Sequence, residues 1–172
     1  MQGPALSDVE IADCFNAGMG RRYQVHLVGG ATEPLYEPAS EAGPARIHYT
    51  LNYAASALHE LAHWCIAGRQ RRELPDYGYW YRPPPRSDAE QIAFFRVELP
   101  VQALECRLAE AAGVPFRISV DDLDRDDSTA NQQALEEFRR RVLLLASDES
   151  EFSARARMLE ADLVAHRLRS VA

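Results

Sequence analysis

Ala55–Gly68 reads A-S-A-L-H-E-L-A-H-W-C-I-A-G, and its spacing decides how the rest of the chain is arranged. On a helix, His59 and His63 lie four apart and project from one face. Leu58, Leu61, Ala62, Cys65 and Ile66 supply an apolar stripe on the other. H-E-x-x-H at this spacing brings two imidazoles to one metal ion and leaves Glu60 beside the open coordination space, able to handle a proton of bound water. The competing reading is two histidines on an ordinary solvated or core face, and the amphipathic, capped context favours the metal. Asn52 is a plausible N-cap for this helix and Gly68 a usual C-terminal residue.

The chain has 172 residues, 47% hydrophobic and 26% charged, which fits one domain over residues 1–172 with a real core. No apolar run is long enough to span a bilayer, and the start, M-Q-G-P-A-L-S-D, has neither a basic flank nor an apolar signal core. A cytoplasmic location is therefore expected. Cys14, Cys65 and Cys106 lack the paired spacing of a thiolate zinc site or a disulfide framework and read as reduced core residues. A formal net charge of -7 argues against nonspecific nucleic-acid binding and suits a cationic substrate.

In chain order, Ser7 and Glu10 have capping-box spacing, with Val9, Ile11, Cys14 and Phe15 on a short helix ending near Gly18 or Gly20. Tyr23–Val28 and Arg46–Thr50 alternate like strands, with a Gly- and Pro-containing loop between them. After the H-E-x-x-H helix, four aromatics fall within five residues (Tyr77, Tyr79, Trp80 and Tyr81) before a triple proline, which suits a wall or rim. Ser87 or Asp88 caps a helix up to Glu98, and Pro100 starts the next, which runs to Ala112 before Gly113. Val114–Val120 reads as a further strand, and helices over Ala130–Ala146 and about Glu149–Arg169 read as scaffold, with Phe152, Ala156, Leu159 and Leu163 facing inward. His166 reads as a surface residue favoured by the helix dipole. The sum is a predominantly helical α+β domain with a small sheet and a zincin-like active-site helix.

Two histidines leave a metal site incomplete. Glu90, Glu98 and Glu105 are the downstream carboxylate candidates, and Glu98 is preferred because a helix break before Pro100 would let it turn inward. Glu90 and Glu105 fit solvated faces. Two histidines, one carboxylate and open positions suit zinc with an activated water, hence peptide hydrolysis, or iron(II) with dioxygen, hence oxygenation. The His-x-Asp or His-x-Glu pairs of jelly-roll oxygenases are absent. Asp122, Asp124 and Asp126 match the start of an EF-hand loop, but Asp127 replaces the turn glycine and Gln133 the bidentate glutamate, so a solvated loop is expected there.

The A-S-A-L-H-E-L-A-H-W-C-I-A-G run, continued by R-R-E-L-P-D-Y-G-Y-W-Y, strongly resembles the bacterial elongation factor P hydroxylase family. The resemblance is continuous from about Arg46 to Tyr81 and resumes over Val97–Glu105 and Ala111–Phe116. It implies hydroxylation of a β-lysyl-modified lysine of elongation factor P, with dioxygen as co-substrate at a non-haem iron(II) centre, zinc or another divalent ion being the alternative. By carry-over His59 and His63 are ligands, Glu98 is the preferred carboxylate, and Glu60 orders water or a ligand. Such a substrate brings ammonium groups, which Asp76 or Glu73 and the faces of Tyr77, Tyr79, Trp80 and Tyr81 could hold. An aromatic cluster is otherwise a piece of core. Arg69, Arg71 and Arg72 could meet acidic surface on the protein partner. Neither a membrane nor nucleic acid is expected as a direct partner. Two other classes stay open: a zinc peptidase using Glu60 as base, and a non-catalytic module that binds elongation factor P.

Overall fold

Ser7 opens the first helix as its spacing predicts: its hydroxyl accepts from the Glu10 amide, and the Glu10 carboxylate accepts from the Ser7 backbone N–H at 2.8 Å. The computed structural model describes residues 3–79, 86–119 and 129–169. Helix α1 (Asp8–Phe15) runs through a π-turn (Asn16–Gly20) into a one-turn helix α2 (Arg21–Tyr23), and Gln24 reverses the chain in a left-handed conformation. Strands β1 (Val25–Ala31), β2 (Leu35–Glu37) and β3 (Ala45–Thr50) follow. Then come α3 (Ala54–Ile66), short 3-10 turns at Arg71–Glu73 and Pro75–Gly78, α4 (Asp88–Ala112), α5 (Thr129–Ala146), a 3-10 turn at Glu149–Glu151, and α6 (Ala154–Arg169). The architecture is α+β, mainly helical with one small sheet.

The sheet order is β1-β3-β2, with β1 parallel and β2 antiparallel to the central β3. Alternation buries Val25 and Leu27 of β1 and Ala45, Ile47 and Tyr49 of β3. The register slips between Val28 and Ala31, where a Cβ on Gly29 would stand 2.5 Å from the Tyr49 hydroxyl oxygen. Glycine is required there by close approach of the ring. β2 was hidden in the predicted loop because three residues are too few to show a period.

α3 buries Ala57, Leu58, Leu61, Ala62, Trp64 and Cys65. Its ends are not held as the spacing predicts. Tyr53, not Asn52, occupies the N-cap and makes no side-chain cap bond. At the other end the last carbonyls are capped by guanidinium groups rather than by a glycine turn: Arg155 Nη2 donates to the carbonyls of Trp64, Cys65 and Ala67, and Arg72 Nη1 to that of Ala67. Cations at a helix C-terminus satisfy orphan acceptors and oppose the dipole.

α4 corrects the predicted break at Glu98. One helix of 25 residues runs from the Ser87 cap to Gly113, with Pro100 inside it. An interior proline costs about 3 kcal/mol or more through a lost bond and a clash. The helix nonetheless continues because it packs against α3, α5 and α6 and buries Val101, Leu104, Leu108, Ala109 and Ala112. The strand predicted over Val114–Val120 is absent among the described residues, since 114–119 is irregular. α6 begins later than predicted, but Phe152, Ala156, Leu159 and Leu163 are all buried as expected. All three cysteines are free, Cys14 and Cys65 buried and Cys106 partly so. Among the described residues no helix is long and apolar enough to cross a membrane. Trp80, Tyr81 and the acidic run around Asp122, Asp124, Asp126 and Asp127 lie outside the described residues.

Candidate metal centre

α3 and α4 pack together so that three side chains converge. His59 and His63 come from successive turns of α3, and Glu98 faces them from α4. The two Nε2 atoms are 3.1 Å apart, Glu98 Oε1 lies 3.4 Å from Nε2 of His63, and Glu98 Oε2 lies 3.8 Å from Nε2 of His59. Donors about 2.1 Å from one ion stand roughly 3.0 to 3.4 Å from each other in tetrahedral or octahedral geometry. Two of these separations fall in that range and the third lies just outside it, so the three residues could hold one divalent ion between them, and Glu98, only 3% exposed, is a buried charge that a cation would offset.

Two further residues of α4 hold these side chains. Glu105 Oε2 lies 2.8 Å from Nδ1 of His59, so that Nδ1–H donates and Nε2 is turned toward His63 and Glu98. Gln102, fully buried, donates through Nε2 to Glu98 Oε2 at 3.3 Å and to the Ser119 carbonyl at 2.7 Å, while its Oε1 accepts from the Ser119 amide. One amide thus ties the carboxylate to the segment that crosses over α4. Glu105 had been assigned to a solvated face; it is 7% exposed. Glu90 instead closes the Ser87 capping box.

The charges are strongly coupled. Burial works against a charged His59, but the bond to Glu105 and the charges of Glu105, Glu98 and Glu60 together hold its imidazole above the usual histidine range. Burial likewise opposes a charged Glu98, and its contacts with His63, His59 and Gln102 override that and hold it below the carboxylate range. Glu60 goes the other way: burial raises its pKa, with partial relief from the two histidines. Of Glu60 and Glu98, it is the one readier to take up a proton.

The triad sits in the wall of a cavity of about 780 Å³. Among the described residues five carboxylates line it, Glu33, Glu60, Asp76, Glu98 and Glu105, against one guanidinium, Arg117. Tyr36, Tyr77, Tyr79 and Phe94 supply aromatic wall. Of the predicted site residues, His59, Glu60, His63, Asp76, Tyr77, Tyr79 and Glu98 all reach this one space. Asp76 is already engaged, accepting from the Tyr36 amide at 2.9 Å, and the Tyr79 ring carries Arg71 4.3 Å from its centroid. Tyr77 stacks on Tyr36 and lies parallel to His63. Glu73 is exposed beside Arg69 and does not line the cavity. Of the arginines assigned to a partner, Arg71 and Arg72 are partly used internally, donating to the carbonyls of Tyr77 and Ala67. Sequence reasoning missed Gln102, and weighed Glu105 only as a possible ligand better suited to a solvated face. Their spacing of four and seven from Glu98 is one helix face, visible only once Pro100 is allowed inside a continuous helix.

The profile of the elongation factor P hydroxylase family matches residues 14–170, a span that contains the two histidines, Glu98, Gln102 and Glu105. The chain belongs to the elongation factor P hydroxylase family. Among its relatives is the elongation factor P lysine hydroxylase of Haemophilus influenzae, 44% identical over 116 residues. That match spans 67% of this chain and 65% of the relative's length.

Proposed function

We propose that this protein hydroxylates the β-lysyl-modified lysine of elongation factor P, with His59, His63 and Glu98 holding a divalent metal, iron(II) in this reading. One observation carries the proposal: in a chain of the elongation factor P hydroxylase family, two imidazoles and a buried carboxylate converge in the wall of an acidic cavity. Adding a hydroxyl to an unactivated C–H bond calls for a redox-active metal and dioxygen, and that is the chemistry this donor set would supply.

The chain's own residues do the rest. His59, fixed in one tautomer by Glu105, and Glu98, oriented by Gln102, present preset donors with little rotamer freedom to lose. The excess of carboxylates over guanidinium groups among the described residues of the cavity attracts the ammonium groups of a β-lysylated side chain and disfavours acidic ones. Tyr36, Tyr77 and Phe94 line the path with apolar surface that excludes water from the substrate's methylene groups. Glu60, with its raised pKa, holds or releases a proton next to the imidazoles. In this reading Asp76, Tyr77, Tyr79 and Trp80 form the substrate wall, and the enzyme works in the cytoplasm, where its protein substrate is used.

The test is the mass of elongation factor P from cells with and without the gene. The modified factor is expected to be heavier by one oxygen when the gene is present, and equal masses would refute the proposal. Complementation with His59→Ala should fail; full modification in the presence of that variant would instead support a non-catalytic module that binds elongation factor P, its metal merely structural.

A further inference from the structure

The turn between β3 and α3, formed by Leu51, Asn52 and Tyr53, carries side chains that do not serve the fold. Leu51 has a left-handed backbone, φ 47°, which glycine or asparagine adopts with less strain, and it is 59% exposed. Tyr53 occupies the N-cap of α3, where serine, threonine, aspartate or asparagine would accept from a first-turn amide. It makes no side-chain cap bond and is 60% exposed. Two large side chains thus stand in water at positions that favour small polar ones. The turn itself is firmly placed: the Leu51 amide donates to the Ala31 carbonyl at 3.1 Å, and the Thr50 amide to the Ser56 hydroxyl at 3.1 Å. Residues that are poor for local stability and also expose apolar surface mark a place where function has overruled the fold.

Thr50 and Ala55, which bracket the turn, both line the cavity that has His59, His63 and Glu98 in its wall. The exposed residues of that lining, Glu33, Pro34, Ala55, Asp76, Arg117 and Ser119, mark its mouth among the described residues. A lysine side chain reaches the mouth attached to a folded protein, so the body of that protein lies against the rim while the side chain is inside. A stable interface covers about 800 Å² per partner, a disc of roughly 16 Å radius. Leu51 is one residue from Thr50 and Tyr53 two from Ala55, at steps of about 3.8 Å, so both fall within such a disc centred on the mouth. Tyrosine is also among the residues on which interfaces concentrate their binding energy. Glu33 and Asp76, exposed carboxylates at the same mouth, suit a partner that leads with a cationic side chain.

We propose that Leu51 and Tyr53 form a docking surface for the body of elongation factor P, on the rim of the cavity that receives its modified lysine. This rests on the lysine-directed reading above and adds the residues that recognise the protein rather than the side chain. Leu51 and Tyr53 take no part in the chemistry. They set affinity for the whole factor and leave affinity for its modified side chain to the cavity.

The experiment measures binding of β-lysylated elongation factor P, and of a short peptide carrying the β-lysyl-lysine, to the metal-loaded protein. Tyr53→Ser should weaken binding of the whole factor about 10-fold and Leu51→Asn about 3-fold, and neither should change binding of the peptide. Both variants should melt at the wild-type midpoint or above it, because serine caps α3 and asparagine accepts the left-handed backbone. Unchanged affinity of Tyr53→Ser for the whole factor, equal losses for factor and peptide, or a lower midpoint would overturn the docking surface. So would sedimentation in which the wild type is a dimer and Tyr53→Ser a monomer, since the turn would then join two copies of this chain. A wild type that does not bind the whole factor would overturn it as well. Hydroxylation of the factor by the wild type is read separately, from its mass. If one oxygen is added while Tyr53→Ser binds normally, the surface falls and the function stands. If the loss specific to the whole factor is seen and no oxygen is added, the function falls and the surface stands.

Discussion

Removing Glu105 isolates how much of the metal site is built by a residue that does not touch the metal. Its carboxylate is bonded to Nδ1 of His59 at 2.8 Å, on the side of the ring away from the Nε2 atom that faces His63 and Glu98. It therefore fixes tautomer and ring orientation and makes the imidazole a better donor. Loss of such a partner costs about 10- to 100-fold in metal affinity, or roughly 1.4 to 2.7 kcal/mol. Glu105→Ala should lie at the upper end of that range and Glu105→Gln, whose amide oxygen still accepts from Nδ1–H, at the lower end. Zinc affinity is measured by competition with a chromophoric chelator, and iron(II) affinity in the same way without air, with circular dichroism to confirm that the fold is kept. Wild-type affinity in Glu105→Ala would refute the role of the hydrogen bond. A loss as large as that of His59→Ala or Glu98→Gln would refute the division of labour, because Glu105 would then be a ligand.

Gln102→Met keeps the volume but leaves the Ser119 amide and carbonyl and one oxygen of Glu98 without their donor or acceptor; it should destabilise the fold by about 2–3 kcal/mol in urea unfolding and also weaken metal binding. Arg155→Met removes a cation that serves three carbonyls at the end of α3 and lies 4.5 Å over the Trp64 ring, and about 2–3 kcal/mol of stability should be lost, read from the same unfolding curves. Gly29→Ala forces a methyl group against Tyr49 and should cost about 1–3 kcal/mol, whereas Gly29→Ala combined with Tyr49→Phe should recover part of it. Burial pushes the Cys14 thiol up to about 11 and that of Cys65 to about 12, so both stay protonated at pH 8. Iodoacetamide should therefore label the native protein first at Cys106, the partly exposed one, and rapid alkylation of Cys65 would show that α3 does not pack as described.

Local patterns in the chain were enough for the parts that obey local rules. The 3.6-residue period put His59 and His63 on one face of α3, and a capping box at Ser7 and a capping residue at Ser87 or Asp88 marked two helix starts correctly. The inward residues of α6 were legible for the same reason. Such features depend on neighbours within a turn or two of chain, where spacing alone carries the geometry.

What tertiary structure decided lies where a local preference was overruled or a partner came from afar. Pro100 argued for a break, and packing on three sides of α4 kept the helix whole, which placed Glu98, Gln102 and Glu105 on one face. Gly68 argued for a glycine stop, and α3 instead ends on Arg155, about ninety residues away in the chain. Glu105 read as a solvated acid until His59, 46 residues distant, supplied its partner. Sequence alone thus determined that two histidines would share a helical face, because that follows from backbone pitch. Which carboxylate meets them, and which residues hold that carboxylate still, depended on long-range packing energies large enough to override a proline.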